Sequence, residues 1–184
     1  MSTSREQRTV EAILSQRLSP APEPGTSSND ILILGIGNFL MGDEGIGPQF
    51  IHEMARCEVD FPRADIMDGG VGGFTLMSHF DAYGTVIFID ATMDGKPPGT
   101  VTLIKPRFSS DFPQALSAHD FGLKDMVESM YLLGHVPQLY LFTISIEEIA
   151  PMTVEMSPAV VDSIPVLEKQ VSQLIATLNA EAAS

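Results

Sequence analysis

The feature that most constrains the fold is an apolar run that enters a glycine-rich turn and is followed by two acids. Residues 31–34 read Ile-Leu-Ile-Leu, and Gly35 and Gly37 interrupt the run. Asp43 and Glu44 come a few residues later. A short apolar run that ends at a breaker is typical of a buried strand, and glycines allow a sharp turn with close backbone approach. The pattern therefore predicts a strand, a tight turn and a helix whose first turn carries two acids.

Strand-like and helix-like segments alternate along the rest of the chain. The predicted strands are 31–35, 64–68, 84–90, 100–105 and 138–145, and the predicted helices are 45–56, 72–80, 122–133 and 157–179. Residues 84–90 and much of 138–145 are apolar on both faces, which is typical of parallel sheets covered by helices on either side. We therefore predict an α/β fold with three α/β/α layers and a mostly parallel, twisted sheet of these five strands.

The chain is expected to divide into an N-terminal arm and one globular domain. Residues 1–18 have the amphipathic pattern of a short helix, and residues 19–29 form a linker rich in Pro and Ser. We expect 1–29 to be a mobile tail, with a docking arm as the alternative, and 30–180 to be a single α/β domain. A total of 184 residues agrees with one such domain.

Charge and cysteine content exclude several classes of protein. The chain has 24 acidic and 10 basic side chains, for a formal net charge of -14. Nucleic acids and anionic membranes require clustered bases, so neither partner is expected. The single cysteine, Cys57, excludes an intrachain disulfide and favours a reducing, cytoplasmic setting. The sequence lacks a long apolar stretch and an apolar signal core, so neither a transmembrane helix nor secretion is expected.

Side chains that could bind a metal or take part in catalysis follow four of the predicted strands. The first strand leads to Glu44, the second and third end at Asp68 and Asp90, and the loop after the fourth carries His119. Ligands bind at the carboxyl ends of strands in an open parallel sheet, so these residues are expected to converge. Glu44, Asp90 and His119 would form a set of two carboxylates and one imidazole with open coordination positions. Such a set is compatible with Zn, Ni, Co, Mn or Fe, and the ligand types do not identify which of these metals binds.

Each of these residues also has a structural interpretation. Glu44 can be a solvated acid favoured by a helix dipole, and Asp90 can cap the turn after its strand. Asp68 precedes two glycines and can be a turn former that orients its loop. His119 can be an ordinary loop histidine. We expect Asp43 to be a supporting or capping partner beside Glu44 and not a metal ligand.

The other histidines and the cysteine are interpreted as structural or solvated. His52, His79 and His135 fall within or beside predicted helices. Cys57 lies at the end of a predicted helix, away from the glycine turns, so a nucleophilic role is not expected.

Taken in order, the motifs resemble those of the hydrogenase maturation endopeptidases. They are Gly35-x-Gly37-Asn38 with Asp43-Glu44-Gly45, Asp68-Gly69-Gly70, the strand ending in Asp90-Ala91, Pro98-Gly99-Thr100, and His119-x-x-Gly122-Leu123. The resemblance spans most of the globular part. It implies an endopeptidase that removes the C-terminal extension from the large-subunit precursor of a nickel-iron hydrogenase after nickel insertion.

The resemblance also implies roles for individual residues. Glu44, Asp90 and His119 would bind nickel, which the precursor supplies and other divalent metals can replace, and Asp68 matches an acid implicated in activity. The metal can be a recognition signal or a Lewis acid, or Asp68 or another acid can be the general base. The family is often grouped with aspartic proteases, although this chain lacks their paired Asp-Thr-Gly segments. A monomer is the state that the resemblance implies.

Three other functions fit parts of the pattern. A nucleotide or phosphate binder is disfavoured because acids occupy the glycine turn, which also lacks Gly-x-Gly-x-x-Gly spacing. A non-cleaving scaffold or metal carrier with this fold would retain the ligands without hydrolysing a peptide bond. A related peptidase, such as a spore-protein protease, would share the fold and act on another substrate.

Overall fold

The computed structural model describes residues 27–71, 76–106, 127–132, 134 and 136–183. A five-stranded sheet forms the centre, in the order β2-β1-β3-β5-β4. Its strands are β1 (Ile31–Ile36), β2 (Ala64–Gly70), β3 (Thr85–Thr92), β4 (Val101–Ile104) and β5 (Gln138–Ser145). The first four strands in that order are parallel, and β4 pairs antiparallel with β5. The predicted mostly parallel α/β sheet is confirmed.

Helices cover both faces of the sheet. A 3-10 helix (Gly42–Gly45) leads into α1 (Ile46–Arg56), and α2 (Met77–Phe80), α3 (Pro158–Val161) and α4 (Ile164–Ala182) follow along the chain. Residues 127–132 are also helical. Helices α1 and α4 pack on one face of the sheet, and α2 and residues 127–132 pack on the other. The three predicted layers are therefore present.

Alternation along the strands divides the core between the two faces. Ile33 and Ile87 point toward α1 and α4, whereas their neighbours Leu34 and Phe88 point toward α2 and residues 127–132. All four side chains are fully buried. Full burial of such a side chain contributes about 1.5–3 kcal/mol, so both faces stabilise the sheet and hold its strand ends in place.

The predicted helix over 157–179 is wrong in one respect, because it is two helices. Helix α3 ends at Val161, and α4 begins at Ile164 with Ser163 as its N-cap. Pro165 explains the break, since proline has no N–H to donate to the carbonyl of residue 161 and its ring clashes with that group. The proline is instead accommodated in the first turn of α4, where the missing N–H costs little.

Two predicted strand ends also need correction. Strand β2 runs past Asp68 to Gly70, and β3 runs past Asp90 to Thr92. Pairing with β5 extends β3, because Thr92 lies opposite Ser145 and its carbonyl accepts the Ile146 N–H at 2.8 Å. Asp68 and Asp90 are therefore held inside hydrogen-bonded strands.

Several predictions fall outside the described residues. These are the N-terminal helix over 1–18, most of the linker, residues 72–75 of one predicted helix, residues 122–126 and 133 of another, and both His119 and His135. At the start of the described chain, Asn29 Nδ2 donates to Asp65 Oδ1 at 2.8 Å, and Ser27 donates to the same carboxylate. Within the described residues, no helix combines the length and hydrophobicity that crossing a bilayer requires.

Candidate functional site

Close packing of glycines brings the start of α1 against the ends of β1 and β3. A Cβ atom on Gly47 would overlap the carbonyl oxygens of Ile36 and Ile89. A Cβ atom on Gly35 would overlap the Gly47 carbonyl and the Ile51 side chain. Only glycine permits this approach, so the turn found in the sequence sets the position of the helix.

The strand order makes this junction the switch point of the sheet. The chain leaves β1 toward β2 on one side and later returns to β3 on the other side of β1. A crevice forms at such a point outside the carboxyl ends of the strands, and ligands bind there in open α/β sheets. We call this side of the sheet the carboxyl edge; it comprises the C-terminal ends of β1, β2, β3 and β5.

Two of the predicted ligands, Glu44 and Asp90, lie at the switch point. Glu44 is in the 3-10 helix after β1 and is 2% exposed, and Asp90 is in β3 and is 1% exposed. The Ala91 N–H donates to Asp90 Oδ1 at 2.7 Å. Removing a carboxylate from water costs several kcal/mol unless other groups compensate. Both acids are therefore held away from water on segments that meet at the switch point.

The turn that carries Glu44 is fastened to the segment after β5. Met41 forms a parallel bridge with Thr153, whose carbonyl accepts the Gly42 N–H at 2.8 Å. Asp43 Oδ1 accepts the backbone N–H of Ser157 at 2.6 Å. Asp43 thus supports the turn by binding the N-cap residue of α3 and leaves Glu44 as the acid at the switch point.

Asp68 is a turn former, and its second carboxylate oxygen contacts a histidine of α1. Its Oδ1 accepts the Gly70 N–H at 2.8 Å, which is the bond of a turn former. Its Oδ2 lies 2.9 Å from Nε2 of His52 on α1. Gly35 of β1 lies opposite Asp68 of β2 on one side and opposite Ile89 of β3 on the other. Because the switch point lies where β1 and β3 end, Asp68 is one strand away from it.

His52 makes a contact that no local pattern in the sequence indicates. Its position in a predicted helix favours a structural or solvated residue, and its ring contacts Asp68 and packs edge-on against Phe39, with centroids 5.5 Å apart. No motif marks a lone histidine on a helix. The contact depends on the pairing of β1 with β2, which brings the helix that connects them close to the end of β2.

The third predicted ligand, His119, lies outside the described residues, so its position relative to Glu44 and Asp90 stays a prediction. Within the described ranges, no three His, Cys, Asp or Glu side chains are close enough to hold a metal ion. Cys57 is exposed and is the C-cap of α1. Its hydrogen bond to the Glu53 carboxylate raises the pKa of the thiol, which disfavours the thiolate form that a nucleophile requires.

The carboxyl edge also exposes apolar surface and a groove. Leu40 and Met152 are exposed on neighbouring segments, since the Thr153 N–H donates to the Leu40 carbonyl at 3.2 Å. We call this pair the apolar ridge. A groove of about 460 Å³ lies beyond the ends of β3 and β5 and is lined by Met93, Gly95, Lys96, Pro97, Pro98, Ile146 and Glu147. The edge of the sheet that carries the buried acids therefore also has exposed apolar surface and a groove.

The motif Pro98-Gly99-Thr100 has a structural role in this region. Gly99 has φ +82°, and a Cβ atom there would overlap the Ala159 carbonyl. Its N–H donates to the Ser145 carbonyl at 2.8 Å, and the Ser145 N–H donates to the Thr100 carbonyl at 3.0 Å. The motif turns the chain into the antiparallel strand β4.

Comparison with known proteins gives one consistent result. A family model described as HycI, hydrogenase maturation protease, matches residues 48–174. The hydrogenase expression/formation protein HupD of Bradyrhizobium diazoefficiens is 34% identical over 119 residues, which cover 61% of this chain and 61% of that protein. The hydrogenase 2 maturation protease of Escherichia coli is 28% identical over 147 residues, which cover 78% of this chain and 90% of that protein.

Solved structures agree with the sequence relatives. The hydrogenase maturating endopeptidase HybD from E. coli has a TM-score of 0.69 and 27% identity, and the match covers 82% of this chain and 93% of that chain. A hydrogenase maturation protease HybD from Thermococcus kodakarensis, at 24% identity and a TM-score of 0.62, shares the fold. The chain spans about three fifths of the length of the HupD proteins from Bradyrhizobium and Rhizobium leguminosarum.

Proposed function

Since this chain belongs to the hydrogenase maturation protease family, we propose that it is an endopeptidase that trims the C-terminus of a nickel-iron hydrogenase large-subunit precursor. The observation that carries the proposal is the pair of buried acids, Glu44 and Asp90, at the switch point of the sheet. The relatives are named as maturation proteases and endopeptidases, so the proposed reaction is peptide-bond hydrolysis. The carboxyl edge is its proposed site.

The nickel of the precursor is part of the substrate in this proposal. Glu44 and Asp90 offer two carboxylates, and His119 is proposed as the third ligand. An oxygen and imidazole set is compatible with nickel, and the two acids lie on segments that meet at the switch point. A precursor without nickel lacks this interaction, so the protease distinguishes the metallated precursor by a difference in affinity.

Asp68 is proposed as the general base for hydrolysis. It flanks the switch point, and its carboxylate is partly exposed while both oxygens accept hydrogen bonds from the protein. A base in this position can accept the proton of the water that attacks the scissile carbonyl. The two buried acids then recognise the substrate, and the more accessible acid carries out proton transfer.

Docking of the precursor is assigned to the apolar ridge and the groove. Both lie on the carboxyl edge, which also carries Glu44 and Asp90. We propose that one copy of the chain acts on one precursor. The single cysteine is consistent with a reducing compartment, so the reaction is proposed for the cytoplasm.

The experiment is incubation of the purified protein with a cognate precursor, prepared with and without nickel, followed by intact mass measurement. Cleavage of the nickel-loaded precursor alone supports the complete proposal. Cleavage of both forms retains the peptidase and removes nickel recognition by Glu44 and Asp90. If the nickel-loaded precursor stays intact, the alternative is a non-cleaving metal-binding scaffold or carrier.

A further inference from the structure

We propose that His52 positions Asp68 for catalysis, an inference that rests on the proposed peptidase function. His52 lies on α1 and Asp68 in β2, and His52 Nε2 is 2.9 Å from Asp68 Oδ2. The side chains are 17% and 29% exposed, so the bond is partly shielded from competing water. A hydrogen bond between two separate elements fixes the carboxylate relative to the helix that begins beside Glu44.

The carboxylate of Asp68 sets the direction of this bond. A carboxylate oxygen accepts hydrogen bonds and has no hydrogen to donate, so the geometry assigns a hydrogen to Nε2 of His52, which donates to Asp68 Oδ2. His52 Nδ1 is buried and finds no hydrogen-bond partner among the described residues. Nε2 is therefore the ring nitrogen through which His52 acts on Asp68.

Asp68 is consequently held by two donors while part of it stays accessible. His52 Nε2–H donates to Oδ2, and the Gly70 N–H donates to Oδ1 at 2.8 Å. A carboxylate has about four acceptor positions, so two donors leave sites for a water molecule. The side chain is thus fixed in one orientation and can still accept a proton.

Phe39 packs against the imidazole ring of His52 and restricts its orientation. Its ring meets the His52 ring at 75° with centroids 5.5 Å apart, the edge-to-face arrangement that aromatic pairs favour. Phe39 belongs to the segment between β1 and the 3-10 helix that carries Glu44. His52 therefore links the proposed base to the turn of the proposed nickel ligand. It is a positioning residue, since its free nitrogen is buried and does not reach the substrate.

The test compares His52→Leu, His52→Gln and the control His79→Leu in cleavage of the nickel-loaded precursor. His52→Leu removes the donor, and we expect kcat to fall roughly 10- to 100-fold with KM and Tm little changed, because a misplaced catalytic group costs about this much. The amide nitrogen of Gln can replace Nε2 as a donor, so His52→Gln should restore most of kcat. His79 lies on α2, on the other face of the sheet, and its substitution should leave kcat unchanged.

A wild-type kcat in His52→Leu, or an equal loss in His52→Gln, would overturn the inference while the peptidase function stands. A second readout is independent of turnover. Nitrogen-15 NMR of the imidazole should show a hydrogen on Nε2, with a changed Nε2 signal in Asp68→Asn. An Nε2 that carries no hydrogen refutes the assignment. A wild-type protein that leaves the nickel-loaded precursor intact overturns the proposed function and the catalytic role of His52 with it.

Discussion

The two ends of the sheet differ in which side chains they bury and which they expose. At the amino edge, where the strands begin, Asp30 and Arg63 are exposed and 3.9 Å apart, and Arg63 also donates to Asn179 at 3.4 Å. At the carboxyl edge, Glu44 and Asp90 are buried. Leu40 and Met152 of the apolar ridge are exposed there.

This difference distinguishes an ordinary surface edge from the edge at which we propose the site. Exposed ion pairs contribute about 0–1 kcal/mol and tolerate substitution, so the amino edge follows the ordinary pattern of a protein surface. Buried acids and exposed apolar side chains both lower stability or solubility, and proteins retain such features where they bind or react. The difference between the edges thus supports the proposed position of the site without reference to any sequence motif.

The largest expected effect comes from removing a buried charge at the carboxyl edge. Glu44→Gln and Asp90→Asn keep the shape of each side chain and remove the charge that would bind nickel. We expect cleavage of the nickel-loaded precursor to fall about 100-fold or more, with the fold retained in circular dichroism. Glu181→Gln is the matched control, because Glu181 lies in an exposed position near the amino edge. Normal processing by both site variants would remove Glu44 and Asp90 from the site.

The next effect concerns the close packing that supports the carboxyl edge. Gly35→Ala would place a Cβ atom against the Gly47 carbonyl, and overpacking of this kind costs about 1–3 kcal/mol. Urea unfolding should show this loss. Gly95→Ala is the comparison, because a Cβ atom there meets nothing within 4 Å and only the positive φ of +75° opposes it. Equal losses in the two variants would contradict the packing role of Gly35.

A smaller effect is expected at the apolar ridge. Met152 and Leu132 are both 88% exposed. Met152 lies on the apolar ridge, and Leu132 lies in the helical residues 127–132. Met152→Ser should raise KM for the precursor roughly fivefold, as expected for the loss of about 1 kcal/mol of apolar contact. Leu132→Ser should leave KM unchanged, and neither change should alter Tm by more than a few degrees. Equal KM values for all three proteins would exclude docking on the ridge.

The smallest effect is a pH dependence in the loop after β3. Burial by itself would raise the pKa of Asp94, but hydrogen bonds from Lys96 and Ser145 outweigh it and lower the pKa below the ordinary value of an aspartate. A lowered pKa in the folded state stabilises the protein above the unfolded-state pKa, and this contribution is lost as the pH falls through the folded-state pKa. Asp94→Asn should therefore be less stable than wild type at neutral pH by under about 1 kcal/mol. Thermal unfolding from pH 7 to pH 2 should show the difference vanish in acid; a constant difference would contradict the assignment.

Much of the fold was predictable because its signals are local. The five strands lie close to their predicted positions, since apolar runs bounded by glycine or polar residues report burial directly. The break between α3 and α4 was missed although Pro165 is visible in the sequence, because the apolar stripe continues across it. The extra length of β2 and β3 depends on hydrogen bonds from neighbouring strands, which no single segment contains.

The candidate site divides in the same way. Sequence position alone brought Glu44 and Asp90 into consideration, because both follow apolar strands, and the structure places them on adjacent segments at the switch point. His119 stays a prediction from its motif. His52 was not recognisable, since its role depends on α1 passing close to the end of β2.

The sequence by itself determined the strands, the glycine turn and the family of this protein, because apolar runs, glycine spacing and ordered motifs are properties of neighbouring residues. Tertiary structure alone decided that Glu44 and Asp90 are buried, that Asp43 supports the turn through Ser157, and that His52 contacts Asp68. Burial and hydrogen bonding between distant segments depend on how helices and strands pack, and that packing exists only once the whole sheet has formed.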